Sequence, residues 1–198
     1  MDTALHICVG IGLAAACGFR VFVPLLVLSI ASLSGHVTLA SQFQWVGTYP
    51  ALTAFGVATA LEIAGYYVPW VDHLLDTMAT PAAVVAGIIV TGSMLGNADP
   101  FFQWSLAVIA GGGIAGVVQS GTVLARAAST ATTGGFGNPL VATAELGLAI
   151  FTSVLAVLIP IAAAGLVVVI CVVAVRKLLK RSRPATLEGS AQISGGAK

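Results

Sequence analysis

The sequence predicts an all-α protein that crosses a membrane several times, and three observations support this fold class. Hydrophobic residues make up 58% of the 198 residues and charged residues only 8%, whereas about 25% of a soluble domain is charged. The mean hydropathy is +1.04. The apolar residues form runs of about 20, the length that a helix needs to cross hydrocarbon. We therefore expect a polytopic membrane protein.

Six apolar segments are candidates for transmembrane helices. The fifth and sixth are separated only by Pro160, which can end one helix and begin the next. Six crossings would leave both termini on the same side of the membrane. The segments span about residues 4–33, 50–68, 81–96, 104–128, 139–158 and 160–179. Aromatic side chains near their ends fit an interfacial belt, namely Trp45, Tyr49, Tyr66, Tyr67, Trp70 and Trp104.

The first and fourth segments are longer than a straight crossing requires, and both contain residues that weaken helices. The first contains Pro24 among several glycines, and the fourth contains the glycine triplet at residues 111–113. Each segment is therefore either a tilted, kinked helix or two half-helices that fold back within the membrane. A segment that folds back would lower the number of crossings.

The chain also contains an internal repeat. Residues 57–60 and residues 141–144 both read Val-Ala-Thr-Ala, and a glutamate follows each copy, Glu62 in the first and Glu145 in the second. Each half runs from a glycine-rich segment with one arginine to a helix with one glutamate, then a proline and a last apolar segment. Three crossings per half would give an inverted-topology repeat, an arrangement typical of transporters.

These features predict a single transmembrane domain over residues 1–181, with repeat A at about 4–96 and repeat B at about 104–179. Residues 182–198 contain few large apolar side chains, so we expect a disordered cytoplasmic tail. Six of the eight lysine and arginine residues are concentrated at this end of the chain, namely Arg176, Lys177, Lys180, Arg181, Arg183 and Lys198. The positive-inside rule then places the C-terminus in the cytoplasm, and six crossings place the N-terminus there too. A chain without a basic surface elsewhere is not expected to bind nucleic acid.

The two remaining basic residues, Arg20 and Arg126, lie inside glycine-rich apolar segments. A charge in hydrocarbon is costly, so it persists where it is paired, hydrated or needed. In one interpretation both arginines reach a water-filled cavity and bind an anionic group, because a guanidinium matches carboxylate and phosphate. In the other, each pairs with a buried glutamate and ties helices together. Arg126, near the end of its segment, could also extend to the interface.

Glu62 and Glu145 are each the only carboxylate in their predicted spans. A buried carboxylate must be paired, hydrated or protonated. One interpretation makes them groups that couple proton movement to transport or gate cations. The other makes them the partners of the two arginines, and two arginines against two glutamates balance in charge.

A third cluster follows the second apolar segment. On a helix, Asp72 and Asp76 would share a face, with His73 beside it. The cluster could hold a divalent cation, or it could be an interfacial helix whose carboxylates cap the helix or face water. Two carboxylates and one histidine fall short of a complete ligand set. We therefore predict no metal and no cofactor, and we find no set of residues that predicts an enzyme.

Several of these elements resemble a family of small bacterial membrane proteins catalogued as domain of unknown function 4126. The resemblance covers about residues 8–178 and implies a location in the bacterial inner membrane, without implying an activity. It rests on Gly18-Phe19-Arg20, on Leu61-Glu62 with Pro69, on Val71-Asp72-His73-Leu74-Leu75-Asp76, on Gly121-Thr122 with Arg126, and on Asn138-Pro139 with Glu145.

The predicted function is that of a small inner-membrane transporter or channel for an anionic small solute or a lipid-phosphate group. Its substrate site would contain Arg20, Glu62, Arg126 and Glu145. The alternative is a non-transporting structural or assembly subunit, in which Arg/Glu pairs tie helices together. The expected partners are the lipid bilayer, the solute or lipid headgroup, and a second copy or another subunit of a membrane complex. A polar cavity that reaches both Arg20 and Glu62 would favour transport, and a dry contact between them would favour the alternative.

Overall fold

The computed structural model describes residues 3–96 and 98–181, and these residues are helical without a β-strand. The prediction of an all-α fold is confirmed. The helices are α1 (Thr3–Cys17), α2 (Phe22–Leu33), α3 (Tyr49–Gly65), α4 (Pro69–Ser93), α5 (Pro100–Leu106), α6 (Gly113–Thr133), α7 (Asn138–Leu158) and α8 (Pro160–Arg181), with a 3-10 helix at Ser41–Gly47 and a π-helical stretch at Ala107–Gly112. The tail predicted at residues 182–198 lies outside the described residues.

Within the described part of the chain, three helical stretches are long and apolar enough to cross a membrane, and shorter apolar helices accompany them. This pattern supports a membrane protein. The long stretches are Leu74–Ser93, Pro100–Thr133 and Asn138–Leu158, and the shorter helices are Thr3–Cys17, Phe22–Leu33 and Pro160–Val173.

Proline and side-chain caps explain where several helices begin. Proline occupies the first or second position of α3, α4, α5 and α7, where its missing N–H costs no helical hydrogen bond. Thr48 accepts a hydrogen bond from the Ala51 N–H, and Asp99 accepts one from the Phe101 N–H, so both act as N-caps. Helix α4 begins earlier than the predicted third segment and continues through Pro81.

Helix α1 runs antiparallel to α7, and two contacts establish its direction. Near its middle, Gly12 packs so closely on Ala156 that an added Cβ would lie 2.6 Å from the alanine Cβ. Beyond its end, Arg20 donates from Nη2 to the carbonyl oxygen of Ala142 at 2.8 Å. The middle of α1 therefore lies beside the last turns of α7, and the end of α1 lies toward the first turns of α7.

Helix α2 returns in the opposite direction. Its C-terminal residues Ile30 and Ser34 line a groove together with Val154 and Leu158, at the C-terminal end of α7. Helices α1 and α2 therefore form a hairpin that enters the bundle and returns, with its tip at residues 18–21. Of the two arrangements expected for the first segment, the structure has the half-helices that fold back.

The hairpin changes the relation between the two ends of the chain. Helix α8 runs parallel to α1, because Gly12 contacts Ala163 and the later residue Ala15 packs with Val167. The beginning of α1 and the end of α8 consequently lie at opposite ends of the bundle. Six crossings would instead have placed them at the same end, so this part of the prediction differs from the structure.

The fourth predicted segment is interrupted in another way. The π-helical stretch Ala107–Gly112 joins α5 to α6 without a break in the helical stretch. Gly111 allows this stretch to approach α4, because an added Cβ would lie 2.5 Å from the Gly87 carbonyl oxygen and 2.4 Å from Thr91 Oγ1. A π-helical turn inside a helix often marks a functional region.

Helix α1 lies in the interior of the bundle, in contact with α4, α6, α7 and α8. Its buried apolar residues form the centre of the core, among them Val9, Leu13, Ala14, Ala15, Ala16 and Cys17. Because α1 is enclosed in this way, the tip that follows it places Arg20 inside the protein rather than at its surface.

Candidate functional site

Arg126 is fully engaged by carboxylates from two other helices. Its Nη1 lies 2.6 Å from Asp72 Oδ1 and 3.4 Å from Asp76 Oδ1. Its Nε donates to Glu145 Oε1 at 3.1 Å, and its Nη2 donates to Glu145 Oε2. The side chain is buried within the protein. Arg126 thus ties α6 to both α4 and α7.

A second set of polar contacts surrounds the same cluster. Asn138, at the start of α7, donates from Nδ2 to Thr130 Oγ1 at 3.2 Å and to Asp72 Oδ2 at 3.4 Å. Tyr67 and Thr143 share a hydrogen bond of 2.9 Å between their hydroxyls. These contacts hold the ends of α3, α4, α6 and α7 together beside the ion pairs.

Glu62 binds backbone rather than an arginine. From the last turn of α3, its Oε1 accepts a hydrogen bond from the Val21 N–H at 2.9 Å, and its Oε2 accepts one from the Phe22 N–H at 3.2 Å. Both N–H groups belong to the N-terminus of α2, where the helix dipole favours a negative charge. The sequence indicated that Glu62 would be buried, and it is, but a backbone partner cannot be read from side-chain types.

Arg20 differs from Arg126 in its partners. It is only 2% exposed, and its Nη2 donates to the Ala142 carbonyl oxygen at 2.8 Å. Within the described residues, Nε and Nη1 have no hydrogen-bond partner, and no carboxylate oxygen lies within 4 Å of its nitrogens. Most of the five N–H donors of this guanidinium are therefore unused.

Tyr66 connects the two arginines, and the sequence reasoning assigned it only to the aromatic belt. Its ring centroid lies 3.8 Å from Arg20 Cζ and 4.2 Å from Arg126 Cζ, so both guanidinium groups make cation–π contacts with it. The ring is buried. Tyr66 follows Glu62 by four residues, a spacing that places two side chains on one helical face. This spacing is the sequence signal that links Tyr66 to the buried charges.

The structure brings the four predicted site residues to one region, and it contains one of the two Arg/Glu pairs that the second interpretation expects. Glu145 pairs with Arg126, whereas Glu62 caps α2 and Arg20 stacks on Tyr66. Asp72 and Asp76 join the cluster as partners of Arg126 rather than as water-facing caps.

A cavity of about 330 Å³ opens beside this cluster. It is reached from the turn between α6 and α7, and it borders both Tyr66 and Asp72, which contact the arginines. The transport interpretation expects a cavity that reaches Arg20 and Glu62, and this cavity reaches neither. The alternative expects a direct ion pair between these two, and among the described residues they do not form one. The walls of the cavity are formed by Tyr66, Tyr67, Asp72, Thr130, Gly134, Gly135, Phe136, Asn138 and Pro139.

The carboxylates of the cluster considered for a divalent cation, Asp72 and Asp76, are partners of an arginine. Arg126 contacts both Asp72 and Asp76, and the side chain of His73 lies outside the described part of the structure. Among the side chains that are described, no group of three or more His, Cys, Asp or Glu residues is placed to hold a metal ion.

The family described as Domain of unknown function (DUF4126) matches residues 7–180. The chain belongs to this family. The match confirms the resemblance carried by the Gly-Phe-Arg and Val-Asp-His elements, and it assigns no activity to the residues of the site. No curated protein and no solved structure matches the chain.

Proposed function

We propose that the protein is a multi-pass transporter or channel of the bacterial inner membrane, and that it moves an anionic small solute or a lipid-phosphate group. The observation that supports this proposal best is Arg20. A guanidinium that is 2% exposed and whose Nε and Nη1 have no partner in the described part of the chain has donors available for an anion. Unpaired donors in a buried position are costly, so a structural role alone explains this arrangement poorly.

The hairpin of α1 and α2 adds a second argument. Non-helical backbone at membrane depth is tolerated where it is buried in protein or lines a cavity. In many transporters, interrupted helices direct their ends at the substrate. The tip at residues 18–21 has this character, since Arg20 belongs to it and α2 begins directly after it.

The proposal includes the inverted repeat. Helix α3 runs toward the hairpin tip, because Glu62 in its last turn reaches Val21. Helix α7 runs away from the tip, because Ala142 in its second turn accepts from Arg20. The two helices that share the Val-Ala-Thr-Ala sequence thus run in opposite directions, as an inverted repeat requires.

We place the end of α8 and the cavity on the cytoplasmic side. Arg176 is exposed in α8, and the basic residues that follow it favour that side by the positive-inside rule. Asp72 in the cavity wall and Arg126 lie near the same end of the bundle. In this arrangement the cavity is the cytoplasmic entrance and Tyr66 separates it from Arg20, while the beginning of α1 faces the other side.

A structural or assembly role is the second candidate, and Arg126 is the observation that favours it. Its ion pairs with Asp72 and Glu145 join three helices and leave few donors for a solute. Breaking a buried ion pair is strongly destabilising, so this cluster is suited to holding the bundle together. We therefore assign Arg126 and Glu145 to the framework and Arg20 to the solute.

The test is flux into proteoliposomes, with nitrate, lactate, phosphate and a fluorescent anionic lipid as separate probes. Arg20→Gln should lower the flux of the transported probe at least tenfold, and Arg20→Lys should lower it less. Arg176→Gln removes the same charge from an exposed position and should leave flux unchanged. Folding of each variant is checked by size-exclusion chromatography and circular dichroism. If the folded wild type moves none of the four probes, the transport proposal is wrong.

A further inference from the structure

Glu62 occupies the position that an anion would take at the hairpin tip. Helix α2 has 12 residues, and its first N–H groups have no partner within the helix. Two of them donate to Glu62, from Val21 to Oε1 at 2.9 Å and from Phe22 to Oε2 at 3.2 Å. Such a helix N-terminus binds carboxylates and phosphates readily. Glu62 is therefore an anion tethered to α3 and bound by α2.

Arg20 supplies an independent reason to expect a further anion at this place. It directly precedes the N-terminus of α2, it is buried, and its Nε and Nη1 have no partner among the described residues. Glu62 exerts an electrostatic attraction on Arg20 but does not come within ion-pair distance of it. The hairpin tip thus has hydrogen-bond donors, on Arg20, that Glu62 does not use.

The charges around Glu62 determine what happens when it takes up a proton. Arg20 and Cys17 face it from the hairpin and Tyr66 from α3, with Glu145 acting from α7. Beyond Tyr66 lie Arg126 from α6 and its partners on α4, Asp72 and Asp76. Helix α2 and the 3-10 helix Ser41–Gly47 carry no titratable side chain.

A protonated Glu62 would be a weak ligand for α2. It would lose the charge that the helix dipole favours, and hydrogen bonds to an uncharged acceptor are about half as strong as those to a charged one. Arg20 would then have no anion at the tip, and an anion from solution would restore the lost interactions.

We propose that Glu62 is a displaceable plug, and that it leaves the N-terminus of α2 when it binds a proton while a small planar monovalent oxyanion takes its place. This inference rests on the anion-binding role that the proposed function assigns to Arg20, and not on transport itself. The proton goes to a Glu62 carboxylate oxygen, and the incoming anion accepts from the Val21 and Phe22 N–H groups and from Arg20. One proton is therefore taken up for each anion bound.

The geometry of Glu62 indicates the shape of the ligand. Its two coplanar oxygens each accept from a different N–H, and a guanidinium also prefers two coplanar acceptors. Nitrate and carboxylates have this arrangement. Nitrate is the better probe, because the anion of a strong acid does not cross the bilayer as a neutral acid.

The first measurement is nitrate flux as a function of pH in proteoliposomes, with a pH-sensitive dye inside the vesicles. In the wild type, flux should rise as the pH falls, by up to about tenfold per unit for one proton, and protons should enter with nitrate. Glu62→Gln should carry nitrate at a rate that no longer depends on pH, without proton entry. Asp99→Asn is the matched control, because Asp99 is an exposed N-cap of α5 and asparagine caps equally well.

The second measurement counts protons in weakly buffered detergent solution as nitrate is added to the wild-type protein. About one proton taken up per nitrate supports the displacement of Glu62 and needs no variant to fold. No proton uptake overturns it. Wild-type nitrate flux with unchanged pH dependence in a folded Glu62→Gln variant also overturns the inference and leaves the proposed transport intact. Proton-linked nitrate binding without flux of any probe supports the inference and contradicts the transport.

Discussion

Arg20 and Arg126 both stack on the ring of Tyr66, at 3.8 and 4.2 Å from its centroid, yet within residues 3–96 and 98–181 only Arg126 is paired with carboxylates. The two arginines therefore meet the cost of burial in different ways. Arg126 is neutralised by Asp72, Asp76 and Glu145, whereas Arg20 depends on the ring and one carbonyl. This difference is the basis on which we propose a framework role for Arg126 and solute binding for Arg20.

Replacing Arg126 should cause the larger loss of stability. Arg126→Gln leaves Asp72 and Glu145 buried without their cation, and the loss of one partner of a buried pair costs about 3–5 kcal/mol. We expect a markedly lower Tm in detergent, measured by the fluorescence of native tryptophans. Arg176→Gln, at an exposed position, should keep the wild-type Tm. An Arg126→Gln protein as stable as the wild type would show that the ion pairs do not hold the helices.

The ring of Tyr66, rather than its hydroxyl, should be what the arginines require. Tyr66→Phe keeps the aromatic face and should retain most of the stability. Tyr66→Leu removes two cation–π contacts, each worth about 0.5–2 kcal/mol depending on desolvation, and should lower the Tm clearly. Thermal unfolding of both variants in the same detergent provides the comparison. Equal losses in the two variants would assign the role to the hydroxyl.

Gly18 should tolerate no side chain, because the hairpin tip packs directly on α6. An added Cβ would lie 2.5 Å from Val118 Cβ and 2.7 Å from the Ala115 carbonyl oxygen. Gly18→Ala should therefore cost about 1–3 kcal/mol by overpacking. Gly147→Ala is the matched control, since that position of α7 has open space around it and alanine favours helix. The unfolding midpoints in denaturant should fall for the first variant only.

The hairpin predicts that Thr3 and His36 lie on the same side of the membrane. Both are exposed and flank α1 and α2, whereas the exposed Thr132 lies at the other end of the bundle. Single cysteines at these positions, in a variant without the native cysteines, should be labelled by an impermeant maleimide accordingly. Thr3→Cys and His36→Cys should react from one side, and Thr132→Cys from the opposite side. A first segment that crosses the membrane would separate the first two.

Much of the fold follows from apolar run length and proline. These signals located helices close to α3 and α7, and the glycines of the first segment indicated that it would be interrupted. They did not reveal the extent of α4, because its first turns contain Asp72 and Asp76, which favoured a separate interfacial helix. Asp72 is buried against Arg126, and sequence spacing says nothing of a partner 54 residues away.

The sequence indicates which charged residues are buried, but not the partners of Arg20 and Glu62. Arg20 and Glu62 were identified because charges are rare in apolar segments. Their actual partners are the Ala142 carbonyl and two backbone N–H groups, and every residue possesses such groups. Which backbone groups Arg20 and Glu62 bind depends on how the hairpin tip is oriented against α3 and α7. No local sequence pattern specifies this orientation.

The enclosed position of α1 has a consequence for biosynthesis. This helix is synthesised first, yet the helices that cover it include α6, α7 and α8, which are synthesised last. Arg20 thus emerges well before Ala142 exists to accept its hydrogen bond, and an arginine exposed to lipid is costly. We therefore expect the hairpin of α1 and α2 to take its final place in the bundle only after α7 has been synthesised.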